Sequence, residues 1–79
     1  MQVRVKVFAT LRRYLPGVMP GTSLEVELPA GATVDDLLGQ LNLPREEVKV
    51  VYVNARARPW SYKLASGDEV GIFPPIGGG

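Results

Sequence analysis

The carboxylate side chains are the first candidates for catalysis or metal binding in this sequence. General acid–base catalysis at neutral pH usually relies on a histidine partner, and the sequence contains no His and no Cys. Each carboxylate pair also has a structural explanation, either as negative charge at a helix N-terminus or as part of a turn. We therefore expect neither a catalytic dyad nor a metal site. The adjacent pairs are Asp35-Asp36, Glu46-Glu47 and Asp68-Glu69.

The missing residue types exclude several kinds of function. Without Cys the chain has no disulfide framework, no thiolate zinc site and no cysteine nucleophile or cysteine sulfur carrier. Without His it also lacks the commonest metal ligand. The sequence thus predicts a protein that has no catalytic side chains of its own and binds no metal or cofactor.

Basic and aromatic side chains suggest a possible nucleic-acid surface. The formal net charge is only +1, however, with nine Lys and Arg against eight Asp and Glu. A nucleic-acid-binding domain is normally far more basic, so a solvated charged face is the favoured interpretation and no nucleic-acid partner is expected. Tyr52 is expected in the core because it lies in an apolar run. The residues considered are Arg12, Arg13, Arg56, Arg58, Lys63, Tyr52, Trp60 and Tyr62.

The end of the sequence offers a different kind of chemistry. Three glycines, Gly77 to Gly79, follow Ile76 and the stiff Pro74-Pro75 pair. Glycine-rich ends are often simply frayed. Here the prolines aim the chain away from the body, and the glycines form a thread without side chains that fits a narrow channel. The carboxylate of Gly79 is therefore the candidate reactive group.

Length and composition indicate one small domain that carries this tail. The chain has 79 residues, of which 46% are hydrophobic and 22% charged. These values are typical of a soluble globular domain. No apolar run is long enough to span a membrane and no signal peptide is recognisable, so a cytoplasmic protein without a membrane partner is expected. We assign residues 1–75 to the domain and 76–79 to a flexible functional tail.

Alternating apolar residues predict the strands of this domain. Val3, Val5 and Val7 share one face of a first strand, 2–8, and a second strand, 23–28, has outward carboxylates that fit Arg4 and Lys6 in an antiparallel hairpin. The run 49–54 predicts a third strand covered on both faces over part of its length, 55–60 is expected to be irregular, and 62–64 is expected to add a short edge segment. The last strand is expected at 69–73.

One amphipathic helix completes the domain. Thr33 is its expected N-cap, and Val34, Leu37, Leu38 and Leu41 form an apolar stripe. Asn42 is the expected C-cap, and Thr10 is expected to cap a shorter helix over 11–15. One main helix packed across a mixed sheet of four to five strands is an α+β roll of the β-grasp kind.

Several segments resemble the ubiquitin-like sulfur-carrier family of MoaD and ThiS, and most closely its molybdopterin synthase small subunits. The similar segments are Phe8-Ala9-Thr10-Leu11-Arg12, Thr33-Val34-Asp35-Asp36-Leu37-Leu38, Val53-Asn54, and Gly67-Asp68-Glu69-Val70-Gly71-Ile72-Phe73-Pro74-Pro75 with the glycine tail. They span nearly the whole chain in the order that the family has. The resemblance implies a β-grasp fold.

The resemblance also implies a mechanism and partners. A ubiquitin-activating-type enzyme would use ATP to adenylate the carboxylate of Gly79, and a sulfur donor would convert it to a thiocarboxylate. The sulfur would then pass to a cyclic pyranopterin precursor in the large subunit of molybdopterin synthase, within a heterotetramer. Gly78 and Gly79 would be the functional pair. The expected partner-binding residues are Phe8, Phe73, Pro74, Pro75, Ile76 and Gly77.

Alternatives remain open at this point. Phe8 interrupts the polar face of its strand, which suggests partner contact, although it could pack under the loop after Leu15. Phe73 could equally be the last core residue of its strand. The chain could instead be a sulfur carrier for thiamine or another acceptor, a ubiquitin-like protein modifier, or an interaction module with an inert tail.

Overall fold

The computed structural model describes residues 1–15 and 21–75, and within these ranges five strands form one mixed sheet in the order β2-β1-β5-β3-β4. No helix in these ranges is long and apolar enough to cross a membrane. The strands are β1 (Gln2–Val7), β2 (Leu24–Glu27), β3 (Val50–Val53), β4 (Arg56–Arg58) and β5 (Glu69–Phe73). The helices are α1 (Val34–Gln40) and two short 3₁₀ helices, Ala9–Tyr14 and Arg45–Glu47.

The pairing places the last strand in the middle of the sheet. β5 runs parallel to β1 on one side and antiparallel to β3 on the other. β2 and β4 complete the two edges as antiparallel neighbours of β1 and β3. The β-grasp fold expected from the sequence is thus confirmed. The segment that follows β5 starts from a strand held on both sides.

The alternation in β1 and β2 has the expected physical result. Val3, Val5 and Val7 are buried, whereas the residues between them are exposed. The expected hairpin is confirmed, and Arg4 lies opposite Glu25 in its register. The ion pair that Arg4 makes is with Glu69 instead, at 3.3 Å between Nη1 and Oε2.

Helix α1 is fixed by its N-terminus and its apolar face. The backbone N–H of Asp36 donates to Thr33 Oγ1 at 3.2 Å, and the N–H of Thr33 donates to Asp36 Oδ2 at 2.9 Å. This reciprocal capping box satisfies two N–H groups that the helix leaves free. Leu37 and Leu38 are fully buried against the sheet. The cap at Thr33 is confirmed, but the C-cap is Leu41, and Asn42 follows it with a φ of 59°.

Some local expectations were wrong. Thr10 caps no helix, because the first 3₁₀ helix already begins at Ala9 and has no side-chain cap. The 55–60 segment is not irregular throughout, since it contains β4. The third strand is not covered on both faces, and Tyr52 is 38% exposed on its open side. The expected edge segment at 62–64 is reduced to a single bridge between Thr33 and Lys63.

A buried carboxylate fixes the approach to β5. Asp68 accepts hydrogen bonds from the side-chain amide of Asn54 at 3.0 Å and from the backbone N–H of Ala65 at 2.8 Å. Asn54 in turn accepts from the N–H of Glu69 at 3.0 Å. Since Asn54 lies in the β3–β4 turn, this network holds that turn and the start of β5 together. The carboxylate of Asp68 therefore has a structural role in this network.

Candidate functional site: an aromatic patch at the root of the tail

Three aromatic side chains meet on the open face of the sheet, the face that α1 does not cover. The rings of Phe8 and Phe73 stack with centroids 4.2 Å apart and planes inclined by 3°. Tyr52 meets Phe73 edge to face, with centroids 5.5 Å apart. We call Phe8, Tyr52 and Phe73 the aromatic patch. Each belongs to, or directly follows, a different one of three adjacent strands, so the sheet register brings them together.

Gly71 makes this arrangement possible. It lies in β5 two residues before Phe73, on the same face. A Cβ at Gly71 would lie 3.3 Å from Cε1 of Phe73 and 3.5 Å from Cε2 of Phe8. Glycine in a strand interior often marks such a close approach. Because Gly71 has no side chain, the two stacked rings can pack over its backbone.

A shallow groove of about 580 Å³ runs beside the patch. The patch forms one part of its lining, and its charged lining residues are Arg4, Lys6 and Glu69. Arg4 and Glu69 pair with each other, as described above. Within residues 1–15 and 21–75, Lys6 makes no hydrogen bond or ion pair through its side chain. Among the described residues, the groove thus combines an apolar wall with one lysine that makes no ion pair.

The tail begins at the edge of the patch. Phe73 is the last residue of β5, and its carbonyl oxygen accepts the backbone N–H of Lys49 at 2.8 Å. Pro74 is half-buried and Pro75 is exposed. Ile76, Gly77, Gly78 and Gly79, which the sequence singles out, lie outside the described residues. The site is therefore a patch on the sheet joined directly to the chain segment that carries the tail.

The structure answers part of the question about the two phenylalanines. Phe73 is not a core residue, because the buried residues of β5 are Val70 and Ile72 on the opposite face. Phe8 packs on Phe73, so both expected partner-binding residues lie in one surface. Tyr52 was missed as part of this surface. The alternation of Val51, Tyr52 and Val53 could have revealed it, since it assigns Tyr52 to the face opposite the two valines.

The basic residues considered as a nucleic-acid surface belong to separate parts of the fold. Arg12 and Arg13 lie in the helix after β1, whereas Arg56 and Arg58 lie in β4, three strands further across the sheet. The guanidinium of Arg13 donates a hydrogen bond to the hydroxyl of Tyr14 at 3.2 Å. This hydrogen bond, together with electrostatic attraction by Tyr14 and Glu47, raises the pKa of Arg13. Arg58 lies over the ring of Tyr62, 4.6 Å from the centroid, a cation–π contact within the chain. No cluster of three or more acidic residues suited to a metal ion occurs in the part of the chain that the structure describes.

A β-grasp body whose central strand leads from an aromatic surface into a Pro-Pro-Ile-Gly-Gly-Gly segment has the architecture of a ubiquitin-like carrier domain. The ThiS family matches residues 5–79, and this chain belongs to that family, the ThiS/MoaD-type sulfur carriers. The match covers all eight elements except the start of β1, and it extends through the tail.

Solved structures agree with this membership. A protein from Pyrococcus furiosus assigned as molybdopterin converting factor subunit 1 is 34% identical, with a TM-score of 0.74 over 95% of this chain and 98% of that one. The small archaeal modifier protein 1 of Haloferax volcanii is 25% identical, with a TM-score of 0.73 over the same shares. In the complex of subunits 1 and 2 of the Helicobacter pylori molybdopterin-converting factor, the similar chain is 16% identical, with a TM-score of 0.64 and full coverage of both chains; at this identity the likeness shows the fold.

Proposed function

We propose that this chain is a sulfur carrier that serves as the small subunit of a molybdopterin synthase. The observation that carries the proposal is the continuity between the aromatic patch and the tail, because Phe73 belongs to the patch and Pro74 starts the exit. A partner that covers the patch would be positioned to receive residues 76–79 in its own active site. The likeness to the Pyrococcus furiosus protein at 34% identity supports the choice of acceptor.

The proposed chemistry takes place at the carboxylate of Gly79. This carboxylate attacks the α-phosphorus of ATP, which releases pyrophosphate and gives an acyl adenylate. A sulfide-level sulfur donor, HS⁻ or its equivalent, then attacks the activated carbonyl carbon, and AMP leaves as the thiocarboxylate forms with loss of a proton. Activation comes first because a carboxylate is a poor electrophile, and the sulfur anion formed is strongly nucleophilic. Transfer of this sulfur to the cyclic pyranopterin precursor, with water supplying the oxygen, regenerates the carboxylate.

The division of labour between this chain and its partners follows from the composition. With no His and no Cys, the chain lacks the usual side chains for acid–base and nucleophilic catalysis. In the proposed function it is a non-catalytic subunit, and a ubiquitin-activating-type adenylating enzyme holds ATP and receives the sulfur donor. This ATP-dependent chemistry would take place in the cytoplasm. Gly78 and Gly79 carry the reacting end, and Pro74, Pro75, Ile76 and Gly77 form the stem that the partners hold.

The large subunit of molybdopterin synthase is the proposed final partner. The Helicobacter pylori structure pairs subunits 1 and 2 of its molybdopterin-converting factor, which supports a two-subunit assembly of this kind. We propose a heterotetramer in which the aromatic patch docks on the large subunit and the tail enters it. Partly exposed aromatic residues grouped on one face are typical of such contacts, since they contribute large apolar area at low entropic cost.

The direct test is the intact mass of the protein after incubation with ATP, the adenylating enzyme from the same genome and a sulfur source. Exchange of one oxygen for one sulfur, localised to the peptide that ends at Gly79, is the expected result. A mass that stays unchanged when the adenylating enzyme is active would contradict the proposal. Reactions without ATP are the control, because they should leave the mass unchanged.

A second candidate function is protein modification. The Haloferax volcanii small archaeal modifier protein 1 is 25% identical and similar over nearly the whole chain, and this likeness favours the candidate. An adenylated Gly79 attacked by a lysine amine would give an amide in place of a thiocarboxylate, again with AMP as the leaving group. Incubation of the activated protein with a cell extract separates the two, since a modifier forms adducts that resist hydroxylamine and a sulfur carrier forms none.

A further inference from the structure

We propose that Lys6 is the recognition cation of the aromatic patch and that it binds a carboxylate of the large subunit of molybdopterin synthase, which docks there. This inference rests on the proposed function, in which a partner covers the patch. It adds a stated chemistry to that partner: an acidic side chain adjacent to the apolar group that meets the rings.

The position of Lys6 in the sheet is the first observation. Lys6 lies in β1 between Arg4 and Phe8, on the open face of the sheet. Its neighbour in β5 is Gly71, which has no side chain. The antiparallel register ends with Val5 opposite Leu24, and one residue further it brings Ser23 alongside Lys6. Neither residue directly opposite Lys6 is therefore acidic, and the carboxylates on this face of the two flanking strands, Glu25 and Glu69, lie opposite Arg4 instead.

The charge of the groove is the second observation. Arg4 lies two residues earlier in β1, on the same face. It is opposite Glu25 in β2 and Glu69 in β5, and it forms an ion pair with Glu69. Lys6 has no such neighbour, so the charged side chains that line the groove, Arg4, Lys6 and Glu69, sum to one positive charge. A partner surface complementary to this groove carries a negative charge opposite Lys6.

Loss of water from the Lys6 ammonium on docking makes a matching carboxylate necessary for tight binding. Lys6 and the aromatic patch line the same groove, so a partner that packs on the rings also removes water from the lysine ammonium. An unpaired ammonium in such an interface loses its hydration without compensation, whereas a carboxylate at hydrogen-bonding distance offsets that loss. Partners without a matching carboxylate are disfavoured, so Lys6 contributes to specificity as well as affinity.

A zero-length carbodiimide cross-link tests the contact directly, because it joins a lysine amine to a carboxylate only when the two touch. The probe is the complex of this chain with the large subunit of molybdopterin synthase from the same genome. Peptide mapping should find Lys6 joined to an Asp or Glu of the large subunit. Lys49 and Lys63 are exposed lysines outside the groove lining and serve as internal controls.

Affinity measurements on matched variants complete the test. Lys6→Arg keeps the charge, so it should bind within about twofold of the original while abolishing the cross-link. Lys6→Glu should weaken binding roughly tenfold or more, with the loss shrinking as salt is added. Lys63→Glu makes the same charge change away from the groove and should have a much smaller effect.

The outcomes separate this inference from the proposed function. If no Lys6 cross-link forms and Lys6→Glu binds like the original protein, the inference is wrong, even when the thiocarboxylate still forms. If the unaltered protein acquires no thiocarboxylate, the proposed function is wrong. Unchanged thermal unfolding of Lys6→Glu, expected for an exposed residue, assures that a loss of affinity reflects the contact itself.

Discussion

At the scale of single residues, Gly71 has the clearest consequence for the site. Its missing side chain provides the space in which Phe8 and Phe73 stack. Most glycines in strands weaken them by about 0.5–1 kcal/mol relative to alanine, because of the larger entropy lost on folding. Retaining glycine here is explained by the shape of the aromatic patch, since an alanine Cβ would be 3.3 Å from one ring and 3.5 Å from the other.

Gly71→Ala should therefore separate binding from stability. The rings must shift by a few tenths of an ångström, which changes the surface that a partner meets, while the entropic gain offsets the crowding. We expect a change of less than about 1 kcal/mol in the free energy of unfolding, measured in urea, and a several-fold weaker affinity for the adenylating enzyme.

The control for this substitution is Gln2→Ala, at the far end of β1 on the same face of the sheet. It should change neither quantity appreciably. An affinity for Gly71→Ala equal to that of the original protein would show that the stacked geometry of Phe8 and Phe73 is not what the partner recognises.

At the scale of elements, the β1–β2 hairpin contains an electrostatic contact whose contribution depends on pH. The amino group of Met1 donates to Glu27 Oε2 at 2.9 Å and to the carbonyl oxygen of Leu28 at 2.7 Å. The hydrogen bond from this ammonium, aided by its charge, lowers the pKa of Glu27 below its ordinary value of 4.5. A carboxyl with a lower pKa in the folded state stabilises the fold above its unfolded pKa, and that contribution is lost as the pH falls through the folded pKa.

Glu27→Gln should accordingly be less stable than the original protein at neutral pH, and the difference should shrink as the pH falls below about 4.5. Urea unfolding at a series of pH values measures this difference. Glu25→Gln, on the same face of β2, removes a carboxylate that makes no ion pair in the described ranges and should show a smaller pH-dependent difference. A difference for Glu27→Gln that stays constant down to acid pH would contradict the interpretation.

The elements that the sequence predicts well are those determined by local patterns. β1 follows from strict alternation, and the start of α1 follows from Thr33 with Asp36 three residues later. β4 could not be predicted, because Arg-Ala-Arg has no apolar alternation. It forms because the turn at Asn54 and Ala55, with φ of 51° and 71°, folds it back onto β3. Positive φ at two successive non-glycine residues has no reliable sequence signal.

The candidate site likewise has one part that local sequence patterns predict and another part that they do not. Phe8 was predicted as a surface residue because it interrupts a polar face. Tyr52 was assigned to the core because a short apolar run does not by itself reveal which residues face solvent. The proximity of Phe8, Tyr52 and Phe73 depends on the order of β1, β5 and β3, which is a property of long-range pairing. Local sequence patterns do not contain that information.

At the scale of the whole molecule, the sheet provides a fixed anchor for the end that we propose to be reactive. β5 is hydrogen-bonded to β1 on one side and to β3 on the other, which fixes the position of Phe73 in the aromatic patch. Pro74, where the exit starts, directly follows this fixed residue. The distance from the patch to the carboxylate of Gly79 is then set by the number of residues that follow. A fully extended residue spans about 3.3–3.6 Å, so four residues such as 76–79 could reach at most roughly 13–14 Å beyond Pro75.

Deletion of Gly79 tests this dependence on length, because the shortened chain still ends in two glycines. Its carboxylate would stop about 3.5 Å short of the partner's reactive centre when the patch is docked. We expect thiocarboxylate formation to fall by roughly 100-fold or more, since misplacement of even 1 Å can cost that much. The free energy of unfolding should change by less than about 0.5 kcal/mol, because the core lies entirely within the body.

A second change restores the length of the tail and thereby separates the effect of tail length from other effects of the deletion. Inserting one alanine between Pro75 and Ile76 in the shortened protein returns the original number of residues between Phe73 and the carboxylate. We expect this variant to recover much of the lost activity, measured by intact mass over time. Full activity of the shortened protein would contradict a fixed anchor, and marked destabilisation would assign the tail a structural role. Recovery on reinsertion would instead identify the separation between patch and carboxylate as the property that the fold controls.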